Sequence, residues 1–262
     1  MALPFILSIP HCGNQVPDDI RADMALNQDQ IEESVDLGTR EIFAALQARD
    51  VITAGWSRLV VDLNRSPDQL DAKGVVALTD YHGRSVYRPD RHPSLQAVHD
   101  RLVRYYHPYH SRLAAALKNT AAVALIDCHS LNGIGPPDAP DPGRTRKDVI
   151  LSNNGDSRGR ARPTAGPVTC PARLLQLFKD AFEASGFSVA LNAPYRGGNI
   201  VRHYGSRLVA ERRFAIQIEM NQSLYTADGS THPLEEPIAR VSRQVRRALE
   251  QAAASIRTGM KA

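Results

Sequence analysis

Short apolar runs that stop abruptly at chemically competent polar residues recur along this chain. Phe5-Ile6-Leu7 leads to His11, Leu59-Val60-Val61 to Asp62-Leu63-Asn64-Arg65, Val123-Ala124-Leu125-Ile126 to Asp127-Cys128-His129, and Phe214-Ala215-Ile216 to Glu219. Runs of about four to eight β-prone residues bounded by turn formers read as strands. The pattern therefore predicts strands at 4–9, 58–63, 121–127 and 213–220, with shorter ones at 149–152 and 187–191. Between them, apolar residues recur at helical spacing. Ile31, Val35, Thr39, Phe43, Ala44 and Leu46 predict a helix over about 28–49. Leu95, Val98, Leu102, Tyr106, Tyr109 and Leu113 predict another over about 93–118, which Pro108 should kink or split because it lacks a backbone donor. Helices are also expected at 171–185 and 234–257, and a glycine-rich turn at Gly197-Gly198. Strand–helix alternation of this kind defines an α/β fold.

In an open α/β sheet, ligand sites lie just outside the carboxyl ends of the strands. His11, Asn64 with Arg65, His129 and Glu219 should therefore share one site. A hydrolytic zinc takes about three protein ligands, usually histidines with a carboxylate, and keeps one position open for water. His11 and His129 are the candidate histidine ligands. Asp36, on the inner face of the first predicted helix and one turn from Glu32 and Glu33, is the candidate carboxylate. Glu219 is the candidate general base, and Arg58 or Arg65 can polarise a scissile carbonyl or clamp a carboxylate bidentately. Asp62 and Asp127 suit the orienting of ligand imidazoles. Tyr195, Arg202 and His203, flanking Gly197-Gly198, offer further donors to a substrate. Each residue alone has a plainer reading: a packed histidine, an Asx turn at Asp62, a Glu219 paired with any arginine. Their joint occurrence at four run ends is what points to chemistry. A rival metal pair, His107 and His110, shares a helical face but has no strand to deliver it and no carboxylate at helical spacing.

The 262 residues suit a single catalytic domain spanning 1–262, since no linker divides them; 131–168, rich in Gly, Pro, Asp and Asn, is expected to be a long loop or lid. A net charge of +4 does not signal nucleic-acid binding, because the arginines are scattered and aromatics make up only 6%. The densest basic patch, Arg144 to Lys147 followed by Arg158, Arg160 and Arg162, reads as a solvated loop. No apolar run approaches the ~18 residues that span a bilayer, and no leader pattern is visible. Three cysteines, an odd number, argue against a disulfide framework and for a reducing cytoplasm.

The ordered set of motifs Ser-Ile-Pro-His-Cys-Gly (8–13), Val-Asp-Leu-Gly-Thr-Arg (35–40), Ser-Arg-Leu-Val-Val-Asp-Leu-Asn-Arg (57–65), Tyr-His-Pro-Tyr-His (106–110), Ile-Asp-Cys-His-Ser (126–130), the run 194–205 and Gln-Ile-Glu-Met-Asn (217–221) resembles the N-formylglutamate amidohydrolase family, a relative of the zinc carboxypeptidase and aspartoacylase group. The resemblance implies a mixed, mostly parallel sheet flanked by helices, of the phosphorylase/hydrolase type. It also implies one Zn2+ and hydrolysis of N-formyl-L-glutamate, a small acidic N-acyl amino acid, to formate and L-glutamate late in histidine degradation. Three residues beyond His11 stands Asn14, where the aspartoacylase group has a ligand glutamate, so the carboxylate ligand must come from elsewhere. The competing readings are a zinc carboxypeptidase-like enzyme acting on peptides such as cell-wall fragments, and a non-catalytic binding protein on the same scaffold.

Overall fold

The computed structural model describes residues 2–227 and 229–259. A six-stranded sheet forms its centre: β1 (Leu3–Ile9), β2 (Ala48–Thr53), β3 (Ala124–Leu131), β4 (Val149–Ser152), β5 (Val189–Leu191) and β6 (Phe214–Asn221), in spatial order β2-β1-β3-β6-β4-β5. Every pairing is parallel except β4 with β6, so the sheet is mixed and mostly parallel. Helices flank it: α1 (Asp18–Arg21), α2 (Gln28–Glu32), α3 (Thr39–Phe43), α4 (Leu95–Arg101), α5 (His107–Ala116), α6 (Ala172–Ala184), α7 (Asn199–Ala210) and α8 (Glu235–Gly259). Among the described residues no helix is long and apolar enough to cross a membrane.

Strand alternation sorts the core into two halves. Leu7, Ile9, Ile126, Cys128, Ile216 and Ile218 point to one face, where α3, α6 and α8 cover them with Phe43, Phe178, Phe182, Val245 and Leu249. Each large side chain buried there contributes about 1.5–3 kcal/mol by leaving water. Ile6, Leu125 and Ala215 point to the other face and pack under α5, α7 and the turn Leu59-Val60-Val61. Toward the carboxyl ends this second face turns polar. Ser8 aligns with Asp127 and Asp127 with Gln217, and one rung further His129 aligns with Glu219. Residues two apart on a strand share a face, so these five side chains all point to the same side.

The structure departs from the sequence pattern in four places. The helix expected over 28–49 is α2, a turn, α3 and then the edge strand β2. Gly38 adopts φ 76° between the two helices, in the left-handed region, and a Cβ there would strike the Tyr225 ring. The strand expected at 58–63 is a buried turn in which Val60 N donates to Ser57 O, and Leu59 and Val60 pack as core plugs. The helix expected over 93–118 is continuous. It meets Pro108 by widening to a π-helical turn over Leu102–Tyr106, so that the missing N–H falls at the start of α5. Finally, β3 runs past the expected 121–127 to Leu131, so His129 lies inside a strand as Glu219 does, and α7 begins at the Gly197-Gly198 turn.

Candidate active site

The candidate ligands, the candidate base and the turn that braces them come from five separate places in the chain. His11 follows β1 directly. Asp36 lies in the turn between α2 and α3, pinned by its own N–H donating to His11 O (3.0 Å) and by Thr39 Oγ1 donating to Asp36 O (2.6 Å). Asp62 and Asn64 occupy the turn after Val61, where Asp62 Oδ1 accepts from Asn64 N at 2.9 Å in an Asx turn. His129 and Glu219 stand side by side on β3 and β6.

One donor atom each from His11, Asp36 and His129 lie within 4.8 Å of one another, and all three residues are buried. Asp36 Oδ2 is 2.8 Å from His129 Nδ1 and 3.4 Å from His11 Nδ1. The opposite nitrogen of each ring faces a different carboxylate: His11 Nε2 lies 2.8 Å from Asp62 Oδ1, and His129 Nε2 lies 2.9 Å from Asp127 Oδ2. An ionised carboxylate only accepts, so each Nε2 carries a proton and His11 Nδ1 can turn its lone pair toward a common centre. His129 Nδ1 donates to Asp36 Oδ2, since burial disfavours the charged ring but Asp127 and Asp36 outweigh it and hold the ring charged well above its usual range. That nitrogen would offer its lone pair only where an ion takes the proton's place. His11 Nδ1 is buried without a hydrogen-bond partner among the described residues. Asp36, Asp62, Asp127 and Glu219 are buried together, with Arg58 pairing to Asp36 (3.2 Å) and Asp62 (2.8 Å). Four carboxyl groups against one guanidinium leave an excess of negative charge that a divalent cation would offset in large part. The donor set, the orphaned nitrogen and the charge excess all fit a metal ion.

The electrostatics agree. Burial pushes the Asp36 carboxyl up, but the facing imidazoles of His11 and His129 outweigh it and hold it well below the usual carboxylate range. For Asp62, burial is again outweighed, here first by Arg58 and then by His11. Glu219 behaves oppositely: burial dominates and lifts it from 4.5 to about 7. Its Oε1 accepts from Gln217 Nε2 at 2.7 Å, and Gln217 Oε1 accepts from Gly198 N at 2.7 Å, which fixes the direction of that amide.

A cavity of about 330 Å³ opens above this group. Nine of the ten residues expected from sequence line it: His11, Asp36, Arg58, Asn64, Arg65, His129, Tyr195, Arg202 and Glu219. His203 does not; it is exposed on α7 with its ring edge against Tyr204. Asn64 supports the wall from within, accepting from Ile200 N at 2.8 Å and donating to Gln217 Oε1 at 3.4 Å. A Cβ on Gly198 would run into its amide, so only glycine allows this approach. Arg65 and Arg202 carry no carboxylate partner among the described residues. Burial, and then the field of Arg65, lower the Arg202 pKa.

Sequence reasoning missed several cavity residues. Arg146 belongs to the patch expected as a solvated loop, yet its side chain is 2% exposed, paired with Asp141 at 2.6 Å and stacked over the Tyr195 ring at 5.3 Å. The residues 131–168 contain β4 and an Ile134–Thr145 bridge, and Pro136, Asp138 and Arg146 from them line the cavity. Gln217 was legible, since it lies two residues before Glu219 and strand alternation puts both on one face. Tyr81, raised to about 12 chiefly by burial, sits in a segment without periodicity and gave no signal. The rival pair separates: His110 is bound to Leu63 O and the Tyr204 hydroxyl at 3.0 Å each, while His107 is exposed.

Known proteins share this architecture. The family model described as N-formylglutamate amidohydrolase matches residues 3–226, and the chain belongs to that family. It is 27% identical to an N-formylglutamate deformylase of Pseudomonas putida, covering 95% of this chain and 92% of that one. It is 28% identical to the Pseudomonas aeruginosa enzyme of the same name, over 94% and 91% of the two chains. The crystal structure of N-formylglutamate amidohydrolase from Ralstonia eutropha JMP134 superposes with a TM-score of 0.80 at 23% identity, covering 98% of this chain and 95% of that one.

Proposed function

We propose that this protein hydrolyses N-formyl-L-glutamate to formate and L-glutamate, using one divalent ion held by His11, Asp36 and His129. The observation that carries the reading is the placement of a buried carboxylate, Glu219, one strand over from His129 at a nitrogen–oxygen–nitrogen centre. Two imidazoles and a carboxylate are the donor set of hydrolytic zinc, which makes Zn2+ the expected ion. When bound, it supplies Lewis acidity, bringing the deprotonation of water near neutral pH and polarising a carbonyl.

Glu219, poised at about 7, takes a proton from the attacking water as the hydroxyl oxygen bonds to the formyl carbon. The carbon–nitrogen bond then breaks, and Glu219 returns that proton to the departing amine nitrogen. Gln217 holds the carboxylate in place through both exchanges. Arg58 spends two N–H groups on Asp36 and Asp62, so it chiefly braces the ligands and adds positive charge near the developing oxyanion. Arg65 and Arg202, which have no carboxylate partner among the described residues, suit the two carboxylates of the substrate. The cavity volume lies at the lower end for small-molecule pockets, which favours a compact dianion over a peptide.

The test is formate release from N-formyl-L-glutamate by the purified protein, before and after chelation, with metal content measured on the same sample. N-acetyl-L-glutamate and a glutamyl peptide serve as competing substrates. No formate above background with metal present overturns the substrate assignment, and full activity after complete chelation overturns the metal.

A further inference from the structure

The motif Tyr106-His107-Pro108-Tyr109-His110 spans the end of the π-helical turn and the start of α5, away from the cavity lining, and takes no part in the mechanism above. Its tyrosine Tyr109 nonetheless connects to the metal centre. Tyr109 Oη lies 3.0 Å from Ser8 Oγ, Ser8 Oγ donates to Asp127 Oδ1 at 2.7 Å, and Asp127 Oδ2 lies 2.9 Å from His129 Nε2. All four residues are buried, and Ser8, Asp127 and His129 share one sheet face. Because the single Ser8 proton goes to Asp127, the Ser8 oxygen accepts and Tyr109 donates to it; the other acceptor in reach of the Tyr109 hydroxyl, Ile52 O, is more distant at 3.3 Å. The result is a one-way chain of donors that ends on a carboxylate.

That chain decides which nitrogen of His129 carries a proton. His129 Nε2 also lies 3.1 Å from Asn64 Nδ2, and Asn64 is fixed in that orientation by Ile200 N donating to its Oδ1. Two tautomers therefore compete. With Asp127 in place, Nε2 keeps its proton and donates to the carboxylate, so Nδ1, which shares its proton with Asp36, is the nitrogen that can give that proton up and offer a lone pair to an ion. With Asp127 displaced, Nε2 would accept from Asn64, the proton would sit on Nδ1, and the ligand lone pair would be lost. His11 faces no such choice, because its partner Asp62 is anchored by Arg58 and by Asn64 N. Among the described residues no lysine or arginine pairs with Asp127. Besides His129, Ser8 is its hydrogen-bond donor among the described side chains.

We propose that Ser8 and Tyr109 are positioning residues that hold Asp127 so that His129 presents Nδ1 to the metal. This rests on His129 being a ligand, as proposed above. Neighbours that orient a ligand histidine typically set metal affinity by ~10–100-fold.

The experiment measures Zn2+ affinity by competition with a chromophoric chelator for wild type, Tyr109→Phe, Ser8→Ala and the double variant, with the visible spectrum of Co2+-loaded protein as a second readout. Ser8→Ala should weaken Zn2+ binding toward ~100-fold and Tyr109→Phe by about tenfold, with an altered Co2+ spectrum. The double variant should bind no more weakly than Ser8→Ala alone, because Tyr109 acts through Ser8. Variants that melt earlier but bind Zn2+ like wild type, with an unchanged Co2+ spectrum, would show a purely structural role and overturn the proposal. Fully additive losses would overturn the chain. Wild type that binds no Zn2+ would remove the metal reading itself, an outcome distinct from both. If Ser8→Ala does not fold, the near-isosteric Tyr109→Phe decides the matter on affinity and spectrum.

Discussion

Replacing Glu219 by Gln separates what this carboxylate does for the reaction from what its burial does to the fold. In the metal-free protein, burial raises the Glu219 pKa from 4.5 to about 7. A raised carboxyl pKa means that the native state holds a proton the unfolded chain has released. Below about pH 4.5 both states are protonated and the group is neutral with respect to stability. Between 4.5 and 7 the native state binds more protons, so stability falls with rising pH at about 1.36 kcal/mol per unit. Above 7 the loss levels off at about 3 kcal/mol. Gln has the same shape, can accept from Gln217 Nε2, and carries no charge to desolvate. Glu219→Gln should therefore match wild type near pH 4.5 and be more stable by about 3 kcal/mol at pH 8, a rise of roughly 6–10 °C in melting temperature. The assay is urea unfolding of both proteins in EDTA across pH 4.5–8, read as their difference so that other titrating groups cancel. The same variant should lose about 10²–10⁴-fold in kcat while retaining near one equivalent of metal. A wild type–variant difference that stays flat with pH would refute the burial argument. Unchanged turnover would remove Glu219 from the proton transfers.

Other perturbations test other parts of the site. Asp36→Asn keeps the shape but withdraws the charge facing both imidazoles, and bound metal, measured by atomic emission on the folded protein, should fall from one equivalent to near zero. Arg202→Lys gives up planar, bidentate recognition, so KM for the dianionic substrate should rise about tenfold with kcat little changed; an equal fall in kcat with KM constant would place Arg202 at the reacting carbonyl instead. His110 is held at about 4, chiefly by burial, so it stays neutral in the fold while the unfolded chain protonates near 6.5. Its contribution is complete above pH 6.5 and is lost toward pH 4, by ~3 kcal/mol; the stability deficit of His110→Gln at pH 7 should shrink by that amount at pH 4. Gly198→Ala forces a Cβ into the Asn64 amide and should cost about 1–3 kcal/mol and lower kcat/KM, measured by unfolding and initial rates.

The sheet was legible because the buried strands announce themselves twice, by β-branched composition and by the polar residues that follow. Strands β1, β3 and β6 appear in the sequence as unbroken apolar runs, as expected for strands covered on both faces. The edge strand β2 escaped notice because it pairs on one side only, and its sequence Ala-Arg-Asp-Val-Ile-Thr is mostly half-buried or exposed. Its place was given to Leu59-Val60-Val61, which is apolar for a different reason: a tight turn driven into the core reads like a strand when only hydrophobicity is scored. The helix over 28–49 failed at Gly38, a residue that costs about 1 kcal/mol inside a helix and here supplies the left-handed turn before α3.

That failure bears directly on the site. Asp36 was placed on a helix, one turn from Glu32 and Glu33, and it does face the two histidines, but from the loop that Gly38 creates rather than from a helical face. A helix would have left Asp36 N donating backward within its own turn. In the loop it donates to His11 O, so the backbone that carries one candidate ligand is tied to the backbone that carries another. The polar rungs on β3 and β6 follow a simpler rule. Once Glu219 is taken as functional, strand period alone puts Gln217 on its face, parallel register adds Asp127 and His129, and one more strand adds Ser8. What no periodicity encodes is the direction of each proton, and that is set by contacts between segments 50 to 120 residues apart, such as Asp62 with His11 and Ser8 with Asp127. Residue types at strand ends were therefore enough to suggest a metal centre. Which nitrogen of each imidazole faces it depends on carboxylates that only the folded sheet brings into place.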